Sequence, residues 1–112
     1  MNEIQEITAA LIKFRDERDW EQFHDSKNLA IALSIEVAEL NELFLWKDST
    51  TVEKVNKIKI EEELADVFAY AFLLAEKNKL NVKEIILNKI LLNAIKYPID
   101  KSKGNANKYN EL

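Results

Sequence analysis

The sequence predicts an all-α fold, a four-helix bundle, and three observations carry that expectation. One glycine and one proline in 112 residues leave too few turn formers for a sheet of several strands. Hydrophobic residues make up 47% of the chain, and they recur at the spacing of helix faces. Two pairs of carboxylates spaced i, i+3, Glu36/Glu39 and Glu63/Asp66, lie inside segments that otherwise read as core. On helices, each pair shares a face about one turn apart, so all four carboxylates are expected to face one point.

Ile4, Ile7, Leu11 and Phe14 follow a 3-4-3 spacing that predicts an amphipathic helix over residues 2 to 18, with a charged opposite face. Residues 19 to 26, Asp-Trp-Glu-Gln-Phe-His-Asp-Ser, break the period and read as a loop. Asp25 or Ser26 is its N-cap for the next helix, expected over 27 to 46. The polar run Lys47-Asp-Ser-Thr50 ends that helix, with Trp46 at its C-terminal edge. Thr50 or Thr51 then caps a third segment that is charged at first and apolar nearly all round from Ile60 to Glu76. Asn81-Val-Lys-Glu84 resembles a capping box for a fourth helix, which Pro98 must stop. Residues 1–98 are therefore expected to form one helical domain, and residues 99–112 a polar Lys- and Asn-rich tail that cannot form a core by itself.

Composition narrows the function classes. A formal charge of −4, with no Lys/Arg-rich run to offset it, argues against binding to a nucleic-acid polymer. The absence of cysteine fits a reducing compartment. The N-terminus has no apolar signal-like core, and no run of about 18 apolar residues occurs. A soluble cytoplasmic protein, not a membrane one, is the expectation.

The surroundings of the acidic pairs make them informative. Glu36 falls in the middle of the stripe made by Leu29, Leu33, Leu40, Leu43 and Phe44, with Glu39 on its flank. Asp66 is the only charged residue between Leu64 and Ala75. A buried carboxylate must be protonated, paired with a cation or used as a metal ligand, and neither stripe places a lysine or arginine to pair with it. Glu53, Glu61 and Glu62 read instead as a solvated helix face. All-oxygen ligands, with no cysteine and one histidine in the chain, suit Mg2+ or Mn2+ and disfavour a structural zinc site.

The helical wheel also sets Tyr70 beside Glu63 and Asp66, one turn further along. Lys89, Asn93 and Lys96 cluster at i, i+4 and i+7 on the fourth helix, although the two lysines equally fit an ordinary solvated face. Carboxylates with a divalent ion, and lysines and amides apart from them, are what a polyphosphate substrate requires, since the ion screens the phosphates that the lysines hold.

With Glu36-x-x-Glu39, a gap of 23 residues and Glu63-x-x-Asp66, the chain resembles the E-x-x-E…E-x-x-D pattern of the all-α nucleoside triphosphate pyrophosphatases, the MazG-like superfamily, and within it the dCTP pyrophosphatase branch. Arg18-Asp-Trp-Glu-Gln-Phe-His24, Phe44-Leu-Trp46, Tyr97-Pro98 and the terminal Lys108-Tyr-Asn-Glu-Leu112 extend the likeness over nearly the whole chain. The resemblance implies hydrolysis of a pyrimidine deoxynucleoside triphosphate, dCTP or a 5-modified dCTP, between the α and β phosphates. It also implies that Glu36, Glu39, Glu63 and Asp66 hold Mg2+ and help activate water. Trp20, His24, Trp46, Tyr70 and Asn93 would line the base and sugar pocket, with Lys89, Lys96, Lys108 and Tyr109 as phosphate contacts. Relatives often carry further basic residues before Tyr-Pro; here Ala94 and Ile95 precede Lys96.

Alternatives remain at the level of sequence. Tryptophan and tyrosine at helical spacing are also ordinary core residues, and a lone histidine is more often a satisfied hydrogen-bonding group than a catalytic one. A non-catalytic helical scaffold would keep the bundle without turnover, and the same chemistry also serves dUTP or phosphoribosyl-ATP in relatives. A helix apolar nearly all round needs cover, so an oligomer is expected. The resemblance implies a homotetramer built as a dimer of dimers, with the tail reaching a site or a subunit contact.

Overall fold

A computed structural model describes residues 1–112, and it is all helical, with four long helices and no strand. The helices are α1 (Glu3–Glu17), α2 (Ser26–Glu42), α3 (Lys57–Lys77) and α4 (Val82–Lys96), followed by the short α5 (Ile99–Ser102). Two compact units divide the chain, residues 1–80 and residues 81–112. Residues 99–112 thus belong with α4 in the second unit.

Local chemistry explains where each helix begins. Asn2 and Gln5 form a reciprocal capping box on α1, each side chain accepting the other's backbone N–H at 2.8 and 3.0 Å. Glu3 and Glu6 in the first turn and Arg15 in the last complement the helix dipole. The Asp25 carboxylate accepts the Asn28 N–H at 2.7 Å and starts α2. The preceding stretch is not wholly irregular, because Glu21–Phe23 form a 3₁₀ turn.

Helix α2 stops at Glu42, four residues before the expected end. The backbone tightens there to i→i−3 hydrogen bonds at Leu43, Phe44 and Leu45. Trp46 then adopts a left-handed backbone, φ +65°, which reverses the chain.

Neither Thr50 nor Thr51 caps α3. The Asp48 carboxylate instead gathers the backbone N–H and hydroxyl groups of both threonines at 2.7 to 3.2 Å, and these bonds hold its pKa below the usual range. This local turn consumes the threonines. The cap is Asn56, which accepts from Ile58 N and Lys59 N at 2.9 and 3.3 Å. At its other end α3 closes in a Schellman arrangement, with Leu80 N–H on Ala75 O, Lys79 N–H on Glu76 O and Lys79 left-handed at φ +55°.

Within the first unit, α2 packs along α3, and α1 makes a smaller contact with α3. The core is small, with Leu29, Leu73 and Ala75 buried. The buried stripe of α1 differs from the expected one. Ile4, Thr8, Ala9, Leu11, Ile12 and Arg15 are the covered residues, whereas Ile7 and Phe14 are exposed. Phe14 is occupied otherwise: the Arg18 guanidinium lies 3.7 Å from its ring centroid and Trp20 meets it edge-on at 5.8 Å.

In the second unit, Asn81 caps α4 by accepting the Glu84 N–H at 3.0 Å, one half of the expected capping box. The helix ends at Lys96 with Tyr97 as C-cap, as a following proline requires. The tail carries more structure than a polar segment suggests, namely α5 and a 3₁₀ turn at Tyr109–Glu111. Tyr109 meets Tyr97 edge-on at 6.2 Å.

Leu29 is 2% exposed, so Leu29→Ala is expected to cost about 2–5 kcal/mol through lost burial and a residual cavity. Urea unfolding followed by circular dichroism measures it.

Candidate active site

One turn of α2 carries Glu36 and Glu39 toward α3, which presents Glu63. Ligand oxygens of these three carboxylates lie within 4.8 Å of one another. Glu36 and Glu63 are half-buried and Glu39 is exposed. On α3 the position of Glu63 follows from its stripe: Ile60, Glu63, Val67, Tyr70 and Leu74 are all at least half-covered.

The fourth carboxylate departs from expectation. Asp66 is exposed and contributes no atom to the cluster of three. Its apolar sequence neighbours point elsewhere on the helix. The residues at i−4, i−3, i+3 and i+4 set its surroundings, and they are Glu62, Glu63, Ala69 and Tyr70. The buried member of that pair is Glu63, not Asp66.

The electrostatics follow from gathering like charges in a partly covered place. Burial first, and then the neighbouring carboxylates of Glu39, Asp66 and Glu63, push the Glu36 pKa up to about 7. Burial followed by the charge of Glu39 raises Glu63 as well. Tyr70 is raised by burial and then by Glu36, Asp66 and Glu39, so its hydroxyl remains a hydrogen-bond donor. Asp66 is therefore within electrostatic reach of the cluster although it lies outside it.

One oxygen of Glu36 and one of Glu63, both Oε2, are buried without any hydrogen-bond donor. Such an atom calls for a proton or a cation. The residues present fit a divalent ion: hard oxygen donors from two helices converge, and two of those oxygens have no other partner.

The remaining candidates fall in three places. Trp20 and His24 lie on the segment between α1 and α2, where His24 is half-buried with its Nδ1 unpartnered. Burial, and behind it the positive charges of Arg15 and Lys77, lowers the His24 pKa, favouring the neutral ring. Trp46 stands apart at the turn after α2, 92% exposed on its left-handed backbone. In the second unit, Lys89 and Asn93 line an open groove on α4 together with Ile85, Ile86 and Ile90. Lys96 holds its ammonium 5.1 Å from the centroid of Tyr109. Lys108 is exposed at the start of the last 3₁₀ turn.

Sequence reasoning missed Arg15. It is 7% exposed and forms ion pairs with Asp16, Glu21 and Glu76. Its position four residues after Leu11 was the available signal, but its acidic partners come from three different segments.

The model of the MazG-like family matches residues 31–112, and the chain belongs to that family. Across 97% of its length it is 37% identical to dCTP pyrophosphatase 1 of Mus musculus and 35% identical to that of Homo sapiens, covering 67% of each relative. A pyrophosphatase from Archaeoglobus fulgidus has the same fold, with a TM-score of 0.82 and 39% identity over 88% of this chain and 94% of that one. The chain is a nucleoside triphosphate pyrophosphatase, which sets aside the non-catalytic scaffold. No helix is long and apolar enough to cross a membrane.

The raised Glu36 fixes the sign of a pH effect. In metal-free protein the folded carboxyl holds its proton up to about pH 7, against an ordinary 4.5. Its contribution to stability is thus complete below the unfolded value and is lost as pH rises through about 7. In EDTA, Glu36→Gln is expected to melt above the wild type at pH 8, with the gap closing toward pH 5. Added Mg2+ should raise the wild-type melting temperature most at the alkaline end, and the variant's far less.

Proposed function

We propose that this enzyme is a Mg2+-dependent pyrophosphohydrolase, with Mn2+ able to substitute. It cleaves a pyrimidine deoxynucleoside triphosphate between its α and β phosphates, giving the monophosphate and pyrophosphate, and thereby clears the cytoplasmic nucleotide pool. dCTP or a 5-modified dCTP is the favoured substrate. The observation that carries this reading is the three-carboxylate cluster with its two orphaned buried oxygens. The names of the relatives, dCTP pyrophosphatase 1, support the base.

When bound, the ion supplies positive charge to offset the phosphates and the departing pyrophosphate. Glu36, Glu39 and Glu63 would hold it, with Asp66, one turn from Glu63, completing the set, and Glu36 would have to give up its proton to serve as a ligand. The carboxylates then orient the attacking water and accept its proton as the bond between the α-phosphorus and the bridging oxygen breaks. Tyr70 donates a hydrogen bond beside the cluster. Lys89, Lys96, Lys108 and Tyr109 contact the phosphates.

Trp46 and Tyr70 offer flat faces for the pyrimidine ring, with Trp20 a further pocket residue, and neutral His24 offers a polar contact to its edge; the Asn93 amide on α4 is a second candidate for such a contact. A base that left those groups unpaired would lose several kcal/mol, which is the source of discrimination. Residues 1–98 supply the catalytic domain, and residues 99–112 extend toward a site or a subunit contact.

The assembly is a homotetramer, a dimer of dimers. Its support is the apolar surface left open on the single chain: Ile31, Ile35 and Val37 on α2, Phe68 on α3, and Ile90, Leu91 and Ile95 on α4 are all exposed.

With Mg2+ and a panel of nucleotides, pyrophosphate should be released from dCTP and 5-methyl-dCTP well ahead of dATP and dGTP; equal kcat/KM across the panel would refute the pyrimidine pocket. Glu39→Gln should abolish turnover without unfolding the bundle, and excess EDTA should abolish turnover of the wild type. Sedimentation at micromolar concentration is expected to give a species near four times the 13.0 kDa chain, and monomers alone would reject the assembly.

A further inference from the structure

We infer that Arg15 is a positioning residue for the Trp20–His24 segment, a buried guanidinium that fastens the two proposed base contacts to α1 and α3. The roles given to Trp20 and His24 rest on the nucleotide reading above; the fastening rests on geometry alone.

Arginine is rarely buried, and a covered guanidinium is tolerated only when its charge is matched. Arg15 meets that demand with all three nitrogens, each directed to a different part of the first unit. Nε reaches Asp16 Oδ1 at 2.9 Å on its own helix. Nη1 reaches Glu76 Oε2 at 3.5 Å near the end of α3. Nη2 reaches Glu21 Oε2 at 3.8 Å, in the 3₁₀ turn of the segment. A planar fork can serve three directions at once, which the single ammonium of lysine cannot do rigidly.

The backbone adds to this hold. The Arg15 carbonyl accepts the Trp20 N–H at 3.1 Å, and the Glu21 carbonyl accepts the His24 N–H at 3.0 Å. Pinning Glu21 therefore sets the position of His24, while the Arg15 carbonyl sets that of Trp20. The segment's other polar ties are local. Gln22 donates to Asp19, and Asn28 donates to the Phe23 carbonyl. No other ion pair holds the segment, and the nearest other polar tie to α3 lies just past it, where the Asn78 amide donates to the Ser26 hydroxyl at 3.1 Å.

The segment begins at Asp19, left-handed at φ +54° as the residue that closes α1 in a Schellman arrangement, with Asp19 N–H on Asp16 O and Trp20 N–H on Arg15 O. That close orients the start of the segment, and the Arg15 side chain then holds its next turn through Glu21. Glu21 and Glu76 are themselves partly exposed, so each pair adds little to global stability. What the pairs decide is where the segment sits.

The test uses the full chain with Arg15→Met, which keeps the apolar stem, together with Arg15→Lys and Glu21→Gln. Steady-state kinetics on dCTP with Mg2+ should show KM raised about tenfold in Arg15→Met while kcat stays within about threefold, the pattern of lost binding and not lost chemistry. Glu21→Gln should move KM in the same direction, the double variant should add little to the worse single one, and Arg15→Lys should recover part of the loss. Hydrogen exchange should accelerate at the Trp20 and His24 amides and remain unchanged at Leu29 and Leu73. Unchanged exchange at Trp20 and His24 would overturn the inference. So would acceleration throughout the chain, or an unchanged KM despite a loosened segment. If Arg15→Met does not fold, Glu21→Gln, altered at an exposed side chain, carries both readouts. Absence of pyrophosphate release by the wild type would defeat the nucleotide reading separately, and the exchange measurement would still decide the fastening.

Discussion

The constraint on which the rest depends is the gathering of like charge between α2 and α3. Two unit charges about 4 Å apart repel by about 4 kcal/mol at an effective dielectric of about 20. Three carboxylates within 4.8 Å of one another therefore weaken the fold unless one keeps its proton or a cation enters. In the metal-free protein Glu36 meets the condition by holding its proton toward neutral pH. The packing of α2 along α3 brings the two helix faces that carry the carboxylates together, and the half-buried Glu36 and Glu63 have less room than the exposed Glu39 to turn away into water.

Around that cluster the first unit divides its polar groups by purpose. Asp25, Asn56 and Asn2 complete helix ends, and Asp48 closes a turn; each finds its donors in the backbone close by. Arg15 is matched by acids from three segments. Glu36 and Glu63 alone among the acids keep a buried oxygen without a donor. Because buried polar groups are usually satisfied, those two orphans separate the site from the many other carboxylates of this acidic chain better than charge does; His24 Nδ1 and Ser102 Oγ are the other buried side-chain atoms without a partner.

The apolar surface tells a parallel story. A core of Leu29, Leu73 and Ala75 is small for 112 residues, while α4 exposes apolar side chains on several faces. The sequence pointed to α3, between Ile60 and Glu76, as the helix in need of cover. In the structure α4 needs it more, since Ile85, Ile86, Leu87, Ile90, Leu91, Leu92 and Ile95 are all open.

The sequence by itself determined the all-α class, the number of long helices and the acidic signature, because these depend on periodicity, scarce turn residues and i, i+3 spacing, which are local properties. Asp25 and Asn81 were readable as caps for the same reason. Tertiary structure decided what depends on distant partners. The end of α2 at Glu42, the cap at Asn56 in place of Thr51, and the rotation of α1 toward Arg15 all follow from which groups found better partners elsewhere. It also decided which acids converge. Asp66 sits in the most apolar run of the chain yet is exposed, whereas Glu63, beside two other glutamates, turns inward. A helix distributes sequence neighbours around its axis, so burial is set by the face that meets another helix, and no single stretch of sequence specifies that face.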